Sequence, residues 1–150
     1  MSLIKKGTKA PDFTLKNQHD KEISLKDFAG KKVLLSFHPL AFTGVCNDQM
    51  RALEQRYGEL EEKGIVPLGL SVDAKPSKTA WAKDLELKQL DILSDFHPLG
   101  AVAKAYGNFV EEHGFSGRAN ILIDESGEVL WSKQYDLPEL PDLDEVLAQV

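Results

Sequence analysis

The sequence predicts an α/β domain with a central mixed sheet and helices on both faces. Short apolar runs of strand length alternate with amphipathic stretches of helical periodicity, and the chain closes with a strand hairpin followed by a helix. Its 150 residues are 42% hydrophobic and 28% charged, which is typical of one globular domain with a substantial core. No linker, repeat or low-complexity segment divides the chain, so we predict a single domain over residues 1–150.

The first predicted element is a hairpin near the N-terminus. Residues 12–16 alternate between apolar and polar side chains, residues 17–21 supply a turn, and residues 22–24 return as a second strand. Ser24, with an acid three residues later at Asp27, then favours a single helical turn.

A strand, a loop and a helix follow, and they contain the only cysteine. Residues 33–37 are apolar and are closed by Pro39, which suits a buried strand. From Val45 onward, apolar residues recur at three- and four-residue steps until Gly64, which predicts one amphipathic helix. Cys46 is therefore expected in the first turn of that helix.

The remaining elements continue the alternation of strands and helices. Residues 65–72 form a predicted strand, in which Pro67 must lie at an edge or at a point without a ladder donor. The other predicted elements are a helix around Trp81 and Leu85, a strand at 90–93, a capped helix over 98–106, a hairpin of 118–124 with 128–132, and a helix from Leu143 to Val150.

The position of Cys46 at a helix start has chemical consequences. Backbone N–H groups there lack intrahelical partners and carry partial positive charge, so they stabilise the thiolate, which is the reactive form of cysteine. A chain with one cysteine cannot form an internal disulfide or a Cys-x-x-Cys dithiol site, so Cys46 is either an inert core thiol or a nucleophile. Thr43 can cap the helix and also bond the sulfur or a bound oxygen, and we expect both roles.

The spacing of Pro39, Thr43 and Cys46 resembles the P-x-x-x-T-x-x-C motif of the peroxiredoxins, within Phe37-His-Pro-Leu-Ala-Phe-Thr-Gly-Val-Cys46. The resemblance implies that Cys46 is the peroxidatic nucleophile, that the Thr43 hydroxyl and backbone amides hold the peroxide, and that Pro39 shields the sulfur. It also implies a thioredoxin-like fold extended at its N-terminus, where residues 10–13 resemble the start of that family.

Arg118 is the other residue that the resemblance singles out as catalytic. Attack on a peroxide requires a polarised O–O bond and stabilisation of the departing oxygen, and a guanidinium with its fixed donors suits both tasks. Residues 118–124 with Gly127 resemble the peroxiredoxin signature of an arginine, a strand, an acid and a turn. The alternative is that Arg118 is a surface cation at a strand end.

Two positions depart from the family pattern. Gln49 stands where the family usually has a glutamate that orients the arginine; an amide cannot form a charged pair, so we expect a looser Arg118 and an altered rate. His38 stands where many relatives have an aromatic residue. Filling that space is the favoured interpretation, and electrostatic tuning of Cys46 is the alternative.

Charge and composition limit the partners that we expect. The net charge is −6 and no basic run stands out, so neither nucleic acid nor an anionic membrane is an expected partner. No stretch approaches the ~18 to 20 apolar residues of a membrane span, and the first residues do not resemble a signal peptide, so we expect a cytoplasmic protein. His19, His97 and His113 lack ligand spacing, and we expect neither a metal nor a cofactor.

These observations predict a thiol-dependent peroxidase in which the Cys46 thiolate becomes a sulfenic acid. The chain has no second cysteine, so an external thiol or redoxin must complete the cycle, and the resemblance implies a homodimer. The alternatives are a noncatalytic redox sensor or regulatory module, and a structural domain with an inert Cys46. The substrate would be hydrogen peroxide or an organic hydroperoxide, and an apolar rim of Leu40, Ala41 and Phe42 favours the latter.

Overall fold

A computed structural model describes residues 2–150 and has a seven-stranded sheet at its centre. The strands are β1 (Thr14–Lys16), β2 (Glu22–Ser24), β3 (Lys32–Phe37), β4 (Ile65–Ser71), β5 (Asp91–Ser94), β6 (Phe109–Val110), β7 (Phe115–Ser116), β8 (Arg118–Ile123) and β9 (Val129–Tyr135). The helices are α1 (Gly44–Gln55), α2 (Tyr57–Glu62), α3 (Lys75–Asp84), α4 (Ala101–Ala105) and α5 (Leu143–Leu147), and a 3-10 turn spans Leu25–Phe28.

The large sheet is mixed and has the strand order β2-β1-β5-β4-β3-β8-β9. Strands β3, β4 and β5 are parallel to one another, because helical segments connect them. The pairs β1 with β2, β1 with β5, β3 with β8, and β8 with β9 are antiparallel. The predicted α/β class, with a mixed sheet and an N-terminal hairpin, is confirmed.

Alternation along β3 fills two cores, one on each face of the sheet. Val33, Leu35 and Phe37 belong to the cluster that includes residues of α4 and of the N-terminal hairpin. Leu34 belongs to the opposite cluster, which is built with α1, α2, α3 and α5. Helices therefore cover both faces, and burial of these clusters is the main force that holds the sheet and helices together.

The predicted helix after Cys46 is in fact two helices. The chain leaves α1 at Arg56, whose φ of −99° and ψ of 13° are not helical, and α2 begins at the next residue. The Arg56 guanidinium bonds Glu59 one turn further along and Asp144 at the start of α5. Gly58 is a weak helix former, so the local sequence does little to oppose this break.

Strand β4 lies between β3 and β5, so Pro67 is not on an edge strand; it lies just before Leu68, where pairing with β5 begins, which agrees with the other expected placement, a point without a ladder donor. Two other elements differ from the sequence-based expectation. The final helix ends at Leu147 and not at Val150. The two-residue strands β6 and β7 form a separate hairpin, which is too short to leave a periodic signal in the sequence.

No helix in the described range is long and apolar enough to cross a membrane.

Candidate active site

The topology of the sheet brings two distant segments to one edge. Strands β3 and β8 are antiparallel, and Phe37 near the end of β3 lies opposite Ala119 near the start of β8. Arg118 precedes Ala119, so it lies beside the point where β3 leads into the loop before α1. Cys46 and Arg118 therefore meet, although they are 72 positions apart in the chain.

Cys46 lies at the N-terminal end of α1, as predicted. The bond from the Asn47 amide to the Thr43 carbonyl, at 2.8 Å, belongs to the first turn of this helix. The amides that precede it, including that of Cys46 itself, are at the end of the helix where backbone N–H groups have no intrahelical acceptor. This end of the helix dipole favours negative charge on sulfur.

Arg118 makes a direct contact with the cysteine. Its Nη1 donates to the Cys46 Sγ at 3.4 Å and to the Gln49 Oε1 at 2.6 Å, and its Nε donates to the Leu137 carbonyl at 2.9 Å. The residue is only 3% exposed, so it is not a surface cation at a strand end. A fixed guanidinium beside the sulfur favours negative charge on it.

Gln49 uses both ends of its amide in this network. While its Oε1 accepts from Arg118, its Nε2 donates to the Ser36 Oγ at 2.7 Å and to the Phe37 carbonyl at 3.1 Å. A glutamate could accept from Arg118 but would have no hydrogen for the Phe37 carbonyl. The expectation that the amide leaves Arg118 loose does not match this geometry, since hydrogen bonds on two sides hold the guanidinium.

Thr43 occupies the N-cap position of α1, but its side chain does not cap the helix. Its hydroxyl donates to the Leu40 carbonyl at 2.8 Å, so the proton that could serve other acceptors is already committed within the loop. The expected capping role is therefore wrong, while the lone pairs of the hydroxyl remain available to accept a hydrogen bond. Pro39 is buried in the same loop, between β3 and α1.

Asp73 fixes this loop against the sheet, and sequence reasoning missed it. Its carboxylate accepts hydrogen bonds from the Ala41 amide at 2.8 Å and from the Ser71 hydroxyl. The available signal was its position just after β4, because the carboxyl ends of neighbouring parallel strands meet at the same edge of a sheet.

His38 and Lys78 form a second buried polar group near this loop. Lys78 was not singled out from the sequence. Both residues are 0% exposed, and the Lys78 Nζ lies 3.1 Å from the His38 Nε2. Burial lowers the pKa of His38 well below its usual value, and burial likewise lowers the pKa of Lys78 to about 7. The His38 ring packs against Trp81 with centroids 5.2 Å apart, so it does fill an aromatic space as expected.

Cys46 itself is 0% exposed. Burial alone would suit an inert structural thiol. The contact with Arg118 and the position at the helix start favour a reactive thiol, because a buried guanidinium stabilises a thiolate and an inert thiol does not need one. Among residues 2–150, no group of three His, Cys, Asp or Glu side chains is arranged to hold a metal ion.

Comparison with known proteins decides the family. The sequence profile of the AhpC/TSA family matches residues 6–132. The chain belongs to the AhpC/TSA family. The site residues Pro39, Thr43, Cys46 and Arg118 all lie within the matched range, and an AhpC/TSA protein of this kind is a thiol-dependent peroxidase, an oxidoreductase of the peroxiredoxin type.

Individual members of the AhpC/TSA family resemble this chain over most of its length. Alkyl hydroperoxide reductase E of Mycobacterium tuberculosis is 36% identical over 141 residues, which cover 93% of this chain and 92% of that protein. Peroxiredoxin 2 of Picrophilus torridus is 33% identical over 149 residues, covering 96% and 73% respectively. These names do not favour a noncatalytic sensor or a purely structural module.

The fold matches that of a solved family structure. The reduced 2-Cys peroxiredoxin of Plasmodium vivax superimposes with a TM-score of 0.87 at 31% identity, covering 95% of this chain and 78% of that one. The thioredoxin-like fold that the resemblance implied is thus confirmed. The present chain has a single cysteine, which fits the one-cysteine type within the family.

Proposed function

We propose that this AhpC/TSA protein reduces hydrogen peroxide and organic hydroperoxides through Cys46. The thiolate attacks one peroxide oxygen, the S–O bond forms as the O–O bond breaks, and the second oxygen leaves with a proton as water or alcohol. Cys46 is oxidised to a sulfenic acid and the peroxide is reduced. The observation that carries this assignment is the 3.4 Å contact between the Arg118 Nη1 and the Cys46 Sγ.

Arg118 and Thr43 have complementary roles in this proposal. The Arg118 guanidinium donates to the peroxide oxygens and stabilises the charge that develops on the leaving oxygen. The Thr43 hydroxyl donates to the Leu40 carbonyl, so toward the substrate it acts as an acceptor for the peroxide O–H. Pro39, buried beside them, limits the access of water to the sulfur.

An external thiol, either a small molecule or a redoxin protein, completes the proposed cycle. The sulfenic acid condenses with that thiol to a mixed disulfide, and a second thiol then releases Cys46. The support for this is the sequence itself, since no other cysteine is present in these 150 residues to resolve the sulfenic acid. A cytoplasmic location is part of the same proposal, because that compartment keeps such thiols reduced. Fractionation of cells that express the chain tests it.

Apolar side chains around the loop support organic hydroperoxides as substrates. Phe42 is 52% exposed and Leu40 is 37% exposed, and both lie in the loop between β3 and the helix that carries Cys46. Ala41 is buried, so it contributes to the wall of the site and not to the rim. An alkyl group of a bound hydroperoxide would cover part of this apolar surface.

Stopped-flow kinetics of the fully reduced protein test the peroxidase assignment. We expect rapid loss of one thiol per chain, monitored by Trp fluorescence and by thiol counting. The Cys46→Ser variant should not react. Cumene hydroperoxide should react faster than hydrogen peroxide if the rim binds the alkyl group. A rate like that of free cysteine would contradict the assignment, and a clear preference for hydrogen peroxide would contradict the role of the rim.

A homodimer is the proposed assembly, with its contact beside the active site. The support is the exposed apolar surface of Phe42, which is 52% exposed and has a left-handed φ of 65°, a conformation that is unfavourable for a residue with a Cβ. Analytical ultracentrifugation should show a dimer that Phe42→Asp weakens, while Val150→Asp, at another exposed apolar position, leaves it intact. A monomeric parent protein would refute this assembly.

A further inference from the structure

A lysine with no carboxylate partner lies buried beside the active-site loop. Lys78, on α3, has 0% exposure, and in the described part of the chain it belongs to none of the ion pairs. Its hydrogen-bond partner is the imidazole of His38 at 3.1 Å, and its Nζ also lies 5.5 Å from the centroid of the Trp81 ring. A buried cation without an anion is costly, so this arrangement calls for a functional explanation.

The geometry around His38 limits the charge that the two residues can carry together. The Nδ1 of His38 faces the Ser36 carbonyl at 3.4 Å, and a carbonyl can only accept, so we assign the hydrogen of the neutral imidazole to Nδ1. The Nε2 therefore presents a lone pair to Lys78. Two cations 3.1 Å apart would repel, and so the two residues together carry one positive charge or none.

This pair is packed against the reacting cysteine through one side chain. Trp81 contacts the His38 ring on one side, and its Nε1 donates to the Oδ1 of Asn47, the residue after Cys46, at 2.6 Å. Cys46 and Trp81 belong to the same buried cluster. Charges interact more strongly in a buried environment of low dielectric than in water. A positive charge on Lys78 is therefore expected to act on the Cys46 sulfur.

We propose that Lys78 and His38 form a buried proton-holding pair whose positive charge favours the thiolate form of Cys46. When the thiol ionises, its proton can be held by the Lys78 amine, so that thiol and amine become thiolate and ammonium without a change in net charge. His38 supplies the acceptor that keeps the ammonium hydrogen-bonded inside the protein. Lys78 is a positioning residue in this scheme, since it acts through the sulfur and does not touch the peroxide.

The charged groups around the pair agree with this role. Burial lowers the pKa of Lys78 to about 7, while negative charge on Asp73, on Cys46 and on Asp95 acts in the opposite direction. The Asp73 carboxylate is bonded to Ala41 and Ser71, and the Asp95 carboxylate accepts from the amides of Val102 and Ala103. Neither carboxylate is paired with Lys78, so the thiolate is the counter-charge that changes during the reaction. The positive charge of Arg118 helps to keep His38 neutral.

The test is the pH dependence of the reaction between Cys46 and hydrogen peroxide, measured from pH 5.5 to 9.5. Lys78→Met keeps the length of the side chain and removes its charge, and Lys83→Met removes an exposed lysine from the same helix as a control. We expect Lys78→Met to move the midpoint of the rate profile up by about one pH unit, with about tenfold slower reaction on its acid side. The plateau at high pH should equal that of the parent protein, and Lys83→Met should not differ from it.

Two results would overturn the inference. If the pH–rate profile of Lys78→Met coincided with that of the parent protein, the charge of Lys78 would not affect ionisation of the Cys46 thiol. An equal loss of rate at every pH would show a structural effect only. The inference rests on the proposed reactivity of Cys46, but the two fail separately: an unreactive parent protein refutes the peroxidase, whereas a reactive parent with either of these results refutes only the role of Lys78.

Discussion

Replacement of Lys78 by methionine should stabilise the fold, most strongly at acid and neutral pH. The parent protein must keep an amine in a site with 0% exposure and no carboxylate partner among the ion pairs of residues 2–150. Methionine has a similar length and no charge to desolvate, and the walls around position 78 include the apolar face of Trp81. The substitution should therefore remove an electrostatic penalty without opening a large cavity.

The size of the effect follows from the pKa of the lysine. Burial lowers the pKa of Lys78 from 10.5 to about 7. At about 1.4 kcal/mol for each unit of pKa, this gives an upper limit of roughly 5 kcal/mol for the penalty below pH 7. Replacement of buried ionic groups by apolar ones of similar volume commonly stabilises proteins by about 1–4 kcal/mol, and the lost bond to His38 reduces the gain. We therefore expect Lys78→Met to gain about 2–3 kcal/mol at pH 6.

The sign of the pH dependence is fixed by which state binds more protons. Below pH 7 the lysine is protonated in both states, and the folded state bears the full penalty. Between pH 7 and pH 10.5 the unfolded chain holds more protons than the folded one, so the stability of the parent protein rises with pH. The advantage of Lys78→Met should therefore be largest at pH 6 and should shrink toward pH 10.

Urea denaturation at pH 6, 8 and 9.5 measures this difference, with unfolding followed by Trp fluorescence and circular dichroism. Lys83→Met serves as the control, because its lysine is exposed and its loss should leave the midpoint almost unchanged. If Lys78→Met were less stable than the parent at pH 6, or if its effect were the same at all three pH values, the buried ammonium would not carry the expected penalty.

Three further changes address residues of the proposed active site. Arg118→Met should slow the reaction with peroxide by about 10²- to 10³-fold, because it removes a buried donor to the developing charge, while the exposed Arg51→Met should not change the rate in the same stopped-flow assay. Gln49→Glu should alter the rate and lower the stability by about 1–3 kcal/mol, since it places a carboxylate against the Phe37 carbonyl; unchanged kinetics and melting temperature would contradict the bridging role of the Gln49 amide. Thr43→Val should mainly weaken peroxide affinity, seen as a lower second-order rate with alkylation by iodoacetamide unaffected, and equal losses in both reactions would instead indicate a damaged loop.

The sequence was sufficient for the local elements because their signals are local. The apolar run before Pro39 and the three- and four-residue spacing after Val45 placed the strand, the loop and the helix start that hold Cys46. The same spacing joined α1 and α2 into one predicted helix, because the apolar residues keep helical spacing across Arg56, where the backbone leaves the helical conformation. The contact of Arg56 with Asp144, 88 positions away, leaves no periodic signal in the sequence.

The candidate site shows the same division between local and distant information. The spacing of Pro39, Thr43 and Cys46, and the resemblance of the segment that begins at Arg118, predicted these four residues as the site. The bond from the Thr43 hydroxyl to the Leu40 carbonyl could not be predicted, because several acceptors were equally close in sequence. Nor could the sequence indicate that Gln49 bonds Arg118 on one side and Phe37 on the other.

The sequence shows the chemistry that this chain has available: a threonine, one thiol three residues later at a helix start, and an arginine at a strand start. Which charged groups share one buried environment depends on how the elements pack. Lys78 looks like any surface lysine of α3 in the sequence, yet packing of that helix against the sheet seals its amine beside His38 and near the cysteine. The burial of a side chain depends on all the contacts around it, and these form only when the helices and strands pack together. The local sequence around Lys78 therefore does not reveal that its amine is buried.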